Sequence, residues 1–161
     1  MTPAHVMRVM AAMTLIAMPA RGQIPTLRPE VTTAIARSPV RPGTSVRATL
    51  RMRLPAGVHV QSNTPRDPAL VPTKLTVDVP AVVSVDGITY PRATDLKQPG
   101  REQPLAVFSG AVAIEARLAI APDAPAGTLI VPATLRYQGC TERVCFPPAQ
   151  LRVEWVVTVA K

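Results

Sequence analysis

The sequence has 161 residues, 47% hydrophobic and 17% charged, with a formal net charge of +8. That length suits one domain with a proper buried core. The basic residues are spread out, and the aromatics are Tyr90, Phe108, Tyr137, Phe146 and Trp155 alone, so the basic, aromatic-interleaved face of a nucleic-acid binder is missing.

Arg8 follows a short N-terminal stretch and is succeeded by an uncharged apolar run, Val9–Met18. A bilayer span needs about 20 apolar residues, so this run predicts the core of a secretory signal peptide and not an anchor. Ala20-Arg21-Gly22 offers small side chains at a cleavage site, which places the cut after Gly22, with Ala20 as the alternative. Residues 1–22 are therefore read as a signal peptide and the product as exported. Its removal takes away Arg8 and Arg21, lowering the charge from +8 to +6, and leaves Met52 as the one methionine. No later stretch predicts a membrane span, because each apolar run is broken by Arg, Asp, Glu or Pro. Residues 23–43 read as a Pro-rich arm with an edge strand at Val31–Ala36, and residues 44–161 as a single domain.

From there the hydrophobic pattern has a period of two. Val46, Ala48, Leu50, Met52 and Leu54 alternate with Arg47, Thr49, Arg51 and Arg53. The same alternation sets Leu75, Val77 and Val79 against Lys74, Thr76 and Asp78. It puts Val112, Ile114, Ala116, Leu118 and Ile120 on one side, and near the end Leu151, Val153, Trp155, Val157 and Val159. Successive strand side chains point to opposite faces, so each run has one face to bury and one to wet. Turn signals such as Pro55-Ala56-Gly57, Asp86-Gly87 and Pro99-Gly100 separate the runs, and 19 prolines argue against a helical domain. This predicts an all-β fold, a two-sheet immunoglobulin-like sandwich of roughly seven to nine strands. Thr64–Thr73, with Pro65, Pro68 and Pro72, reads as a stiff crossing between sheets, and Pro91–Pro104 as a long basic loop.

The two cysteines, Cys140 and Cys145, lie in Tyr137-Gln138-Gly139-Cys140-Thr141-Glu142-Arg143-Val144-Cys145-Phe146-Pro147-Pro148. Thr128–Gln138 reads as a strand, and its continuation would put Cys140 on the Arg136 and Gln138 side, away from the core. Gly139 permits a turn or bulge there. The next four residues can then return Cys145 to within the Cα separation of about 4.4–6.8 Å that a disulfide needs. Such a bond has two readings. In an exported protein it is commonly a permanent staple, yet a loop this small contributes only about 2 kcal/mol by chain entropy. A local, accessible bond also suits thiol exchange, with Arg143 favouring a thiolate and Glu142 opposing it. On these residues alone both readings stand. A metal site would want three or four ligands, and beyond the thiols there are only Met52 and His59, the latter read as a half-exposed strand residue between Val58 and Val60. No metal or cofactor is predicted. Asp67, Asp95 and Glu102 are the acid–base candidates, and nothing in their context marks them.

The flanks of the cysteine pair, Tyr137-Gln138-Gly139-Cys140 and Cys145-Phe146-Pro147-Pro148, resemble those of the N-terminal periplasmic domain of the thiol:disulfide interchange protein DsbD. Gly57-Val58-His59-Val60-Gln61-Ser62-Asn63, Pro65, Asp67-Pro68, Leu70-Val71-Pro72-Thr73 and Thr89-Tyr90-Pro91 extend the resemblance, in order, over about residues 44–159. It implies an immunoglobulin-like sandwich and a periplasmic module that relays reducing equivalents to thioredoxin-fold proteins serving disulfide isomerisation and cytochrome c maturation. Carried over, Cys145 forms the mixed disulfide with partners and Cys140 resolves it. Tyr137 and Phe146 shape the surroundings, while Pro147 and Pro148 fix the return strand. DsbD continues into a membrane electron-transfer domain and a thioredoxin-like domain. Neither is found here, which implies a separate membrane electron transporter or thioredoxin-like protein as donor. The resemblance also implies a shielding cap loop; the matching stretch, about Arg92–Gln103, lacks an aromatic residue and offers Leu96 instead. The competing function is a non-catalytic immunoglobulin-like binding or assembly domain with a structural Cys140–Cys145 disulfide.

Overall fold

The computed structural model describes residues 27–161, which form eleven strands and no helix. The predicted signal peptide lies outside the described residues. The strands are β1 (Glu30–Ile35), β2 (Ser45–Arg53), β3 (His59–Gln61), β4 (Lys74–Val77), β5 (Val83–Thr89), β6 (Thr94–Leu96), β7 (Leu105–Ser109), β8 (Ala111–Ile120), β9 (Gly127–Tyr137), β10 (Gly139–Cys140) and β11 (Ala149–Val159). They pair antiparallel into sheets ordered β1-β2-β8-β5, β11-β9-β4 and β10-β3-β7-β6. The fold is an immunoglobulin-like β-sandwich.

Alternation explains the two larger faces. On β2 the residues Val46, Ala48, Leu50 and Met52 are buried, and on β8 Val112, Ile114, Ala116, Leu118 and Ile120. Opposite them come Val131, Ala133, Leu135 and Tyr137 of β9 with Trp155, Val157 and Val159 of β11, all in one apolar cluster. Trp155, the single tryptophan, is 1% exposed, and its indole N–H donates to the Thr49 carbonyl across the sandwich at 3.1 Å. The outward arginines of β2 and β8 lie on a solvated face, where Arg47 pairs with Glu115 and Arg117 with Asp86.

Three stretches depart from the sequence pattern. Val79 is 40% exposed, because β4 ends at Val77 and the chain turns away before a third inward position is reached. Residues 30–40 are built into the sandwich: β1 pairs with β2 in full register, and Val40 is completely buried and bridged to Val159. Pro91–Pro104 is only partly loop, since β6 adds to the edge of β7. Arg66 donates to Asp95 at 2.6 Å and to the Pro104 carbonyl at 2.7 Å, and Arg101 to Asp67 at 3.2 Å. These bonds tie that segment to the crossing between β3 and β4.

The small sheet positions the cysteines. It is reached from both large sheets through single residues, Gly110 between β7 and β8 and Gln138 between β9 and β10. Gly110 has φ +65°, a left-handed conformation that suits glycine, at the point where the chain changes sheet. Strands β3 and β10 and all of β7 but Ser109 are buried on both faces.

Candidate redox site

The cysteine segment is an antiparallel hairpin closed by its own bonds. The Phe146 N–H donates to the Gly139 carbonyl, and the Thr141 N–H to the Val144 carbonyl, each at 2.8 Å. Cys140 and Cys145 therefore face each other as a non-hydrogen-bonded pair, the closer of the two antiparallel pairings. Their Cα atoms are 4.0 Å apart and the sulfurs are bonded.

The tip, Glu142-Arg143, is a two-residue loop, a length that normally takes turns with positive φ. No non-glycine residue among those described has positive φ, so a side chain closes the tip instead. The Thr141 hydroxyl accepts the N–H of Arg143 at 3.2 Å and of Val144 at 3.1 Å, and lies 3.2 Å from the Val144 carbonyl. Gln138 clamps the base by donating to the Phe146 carbonyl at 3.0 Å.

The two cysteines occupy different environments. Cys140 is 1% exposed, whereas Cys145 is exposed. This corrects the outward placement of Cys140. That placement assumed β9 would simply continue, but the chain leaves the β9 sheet at Gln138 and pairs Gly139 with Val60 and Cys140 with His59 on β3. Gly139 serves a different purpose from a left-handed turn. A Cβ there would meet the Leu27 side-chain tip and stand 3.3 Å from its Cβ, so the glycine makes room for Leu27. Leu27 is held in turn by Tyr137, which is 1% exposed and donates its hydroxyl to the Leu27 carbonyl at 2.8 Å. Burial raises the Tyr137 phenol above its ordinary pKa, against the pull of Arg28.

Phe146 is half-buried beside the hairpin base, and Pro147 and Pro148 are exposed on the way into β11. Arg143 is exposed at the tip and joins no ion pair among the described residues. Leu96 is not brought to the disulfide. It sits on β6, at the opposite edge of the small sheet from β10, with β3 and β7 between.

Sequence reading placed His59, the partner of Cys140, too near solvent and gave Gln61 no role. His59 is 4% exposed, not half-exposed, because both faces of β3 are covered. Burial pushes its imidazole below the ordinary value, while Glu142 opposes the shift. Gln61, two residues along the same face, is fully buried. Among the described residues, neither His59 Nε2 nor the Gln61 amide has a hydrogen-bond partner. Only the pairing of β3 with β10 links His59 to Cys140, so no local signal could have placed it there.

A family model for the N-terminal domain of the thiol:disulfide interchange protein DsbD matches residues 28–156. The chain belongs to the DsbD N-terminal domain family. Among solved structures, the N-terminal periplasmic domain of ScsB from Proteus mirabilis is similar at a TM-score of 0.51 and 13% identity, over 89% of this chain. The chain spans 49% of that domain's length. AggA, the major subunit of aggregative adherence fimbriae type I from Escherichia coli, aligns at a TM-score of 0.37 and 10% identity, covering 86% of this chain and 99% of that one. No curated protein sequence matches. The disulfide-bonded pair on β10 and its return is one bond that can accept two electrons, with Cys145 exposed and Cys140 buried.

Proposed function

We propose that this protein is a periplasmic thiol–disulfide exchange module, relaying reducing equivalents to thioredoxin-fold proteins. The observation that carries the reading is the difference in exposure across one local disulfide, with Cys145 open and Cys140 buried. An incoming thiolate attacks the accessible sulfur, and the buried one leaves. Loading therefore begins with a donor thiolate attacking Cys145 Sγ. The Cys140–Cys145 bond breaks, Cys140 departs as a thiolate and takes up a proton, and the donor is joined to Cys145. A second donor thiol then displaces Cys145 and leaves the module as a dithiol. Delivery reverses the order: Cys145 attacks the acceptor's disulfide and Cys140 resolves the mixed disulfide. Val144, 57% exposed beside Cys145, offers the docking partner an apolar contact.

Export by the residue 1–22 signal, and acceptors in disulfide isomerisation and cytochrome c maturation, belong to the same proposal. No helix among the described residues is long and apolar enough to cross a membrane. In this reading the donor is a membrane electron transporter or a thioredoxin-like protein.

The test is trapping in periplasmic extract. Cys140→Ser should accumulate a mixed disulfide between Cys145 and a thioredoxin-fold protein, and Cys145→Ser should accumulate none. Trapping through Cys140 alone would reverse the roles. Trapping by neither, with a disulfide that resists millimolar glutathione, would leave a binding or assembly domain with a structural staple.

A further inference from the structure

We infer that His59 is the proton acceptor that activates Cys140 when the module resolves a mixed disulfide. The inference rests on the exchange function proposed above and assigns a further residue to it. His59 and Cys140 are cross-strand partners on β3 and β10. Directly opposed residues of an antiparallel pair project to the same face with Cβ atoms about 5 Å apart. The imidazole is 4% exposed, and no protein group among the described residues bonds its Nε2, an unusual condition for a buried polar atom. In the disulfide Cys140 carries no proton to donate; once it is reduced, its S–H lies on the strand face that His59 shares. Gln61, two residues along β3, is a second buried polar side chain on the face that carries His59.

The chemistry requires such a base. A thiol buried as Cys140 is holds its proton more tightly than a free one, yet only the thiolate can attack. In the mixed disulfide, the Cys140 S–H proton passes to His59 Nε2. The Cys140 thiolate then attacks Cys145 Sγ, forming the Cys140–Cys145 bond, and the acceptor's sulfur leaves with the electron pair as a thiolate. The module's dithiol is oxidised and the acceptor's disulfide reduced, and the imidazolium returns its proton to solvent. In loading, the imidazolium protonates the departing Cys140 thiolate. Burial keeps His59 neutral at rest, and the exposed Glu142 on the hairpin favours the imidazolium once it forms. On the other side of β3 its partner is the uncharged Ser109.

The experiment uses the reduced full chain and one equivalent of the aromatic disulfide 5,5′-dithiobis(2-nitrobenzoate), followed by stopped-flow absorbance. The first thionitrobenzoate released reports attack by Cys145, and the second reports ring closure by Cys140. His59→Gln should slow the second release by about 100-fold at neutral pH, the lower range of general-base effects, and leave the first unchanged. The pH profile of the second phase should lose its histidine inflection and follow thiol ionisation alone. Glu142→Gln, at an exposed tip, keeps the assignment testable if His59→Gln fails to fold. It should slow the second phase several-fold by weakening the base, whereas a direct effect on the Cys140 thiolate would accelerate it. A second phase unaffected by His59→Gln, both phases slowed alike, or acceleration by Glu142→Gln would overturn the assignment. Absence of any second release from the unmodified chain would overturn the exchange function itself.

Discussion

Gly139 is set by its neighbour, not by its backbone. Leu27 occupies the place where a side chain would go, so Gly139→Ala should destabilise by about 1–3 kcal/mol through overpacking. Denaturant unfolding measures this, and the penalty should shrink when Leu27→Ala is added. Thr141 is the other residue on which the hairpin depends. Thr141→Val keeps the shape but removes the acceptor for two tip N–H groups, and should cost about 1 kcal/mol, with faster amide exchange at Arg143 and Val144. At this scale the sequence was partly legible. The pairing of Cys140 with Cys145 followed from their spacing, but the reason for Gly139 did not, because Leu27 lies far away in the chain and meets it only in the fold.

Among the elements, β2, β8, β9 and β11 could be read directly, since each has one dry and one wet face and the alternation records it. The same logic failed at β3 and β10. Both are covered on both sides, so parity carries no information about exposure, and Cys140 and His59 were each placed too near solvent. The hairpin also bears on stability. It closes a very small loop, and its bonds to Gly139, Val144 and Phe146 do not involve sulfur. Reduction should therefore lower the melting temperature by only about 5–10 °C, from a chain-entropy contribution of about 2 kcal/mol. Calorimetry on the reduced and oxidised forms would check this, and loss of cooperative unfolding on reduction would count against it.

For the whole molecule, two groups point to weakening in acid. The folded His59 binds its proton less readily than the unfolded chain does, because burial disfavours the cation. As pH falls below the ordinary histidine value, the unfolded state gains protons first and stability drops until the folded pKa is passed. Asp67 is held below the usual carboxylate range by the Ala69 N–H and then by Arg101. Its contribution is present at neutral pH and is lost at lower pH, as the folded carboxyl is finally protonated. His59 should thus lower the melting temperature from pH 7.5 to pH 5, Asp67 acting only further into acid, and His59→Gln should flatten that part of the curve. A slope unchanged in His59→Gln would show that the histidine does not titrate with folding. The sandwich class itself was legible from alternation, prolines and turns. The third sheet was not, because it is assembled from short segments that no local pattern distinguishes from loops.

Trp155 lies six residues along β11 from Ala149, the partner of Tyr137 at the disulfide end. In extended chain that is about 20 Å, which sets the indole far along β11 from the strand end nearest the hairpin. The single tryptophan should therefore report on the core more than on the thiols. Its emission should follow core integrity while thiol reagents count electrons, so one cuvette can tell whether a variant has lost its chemistry or its shape.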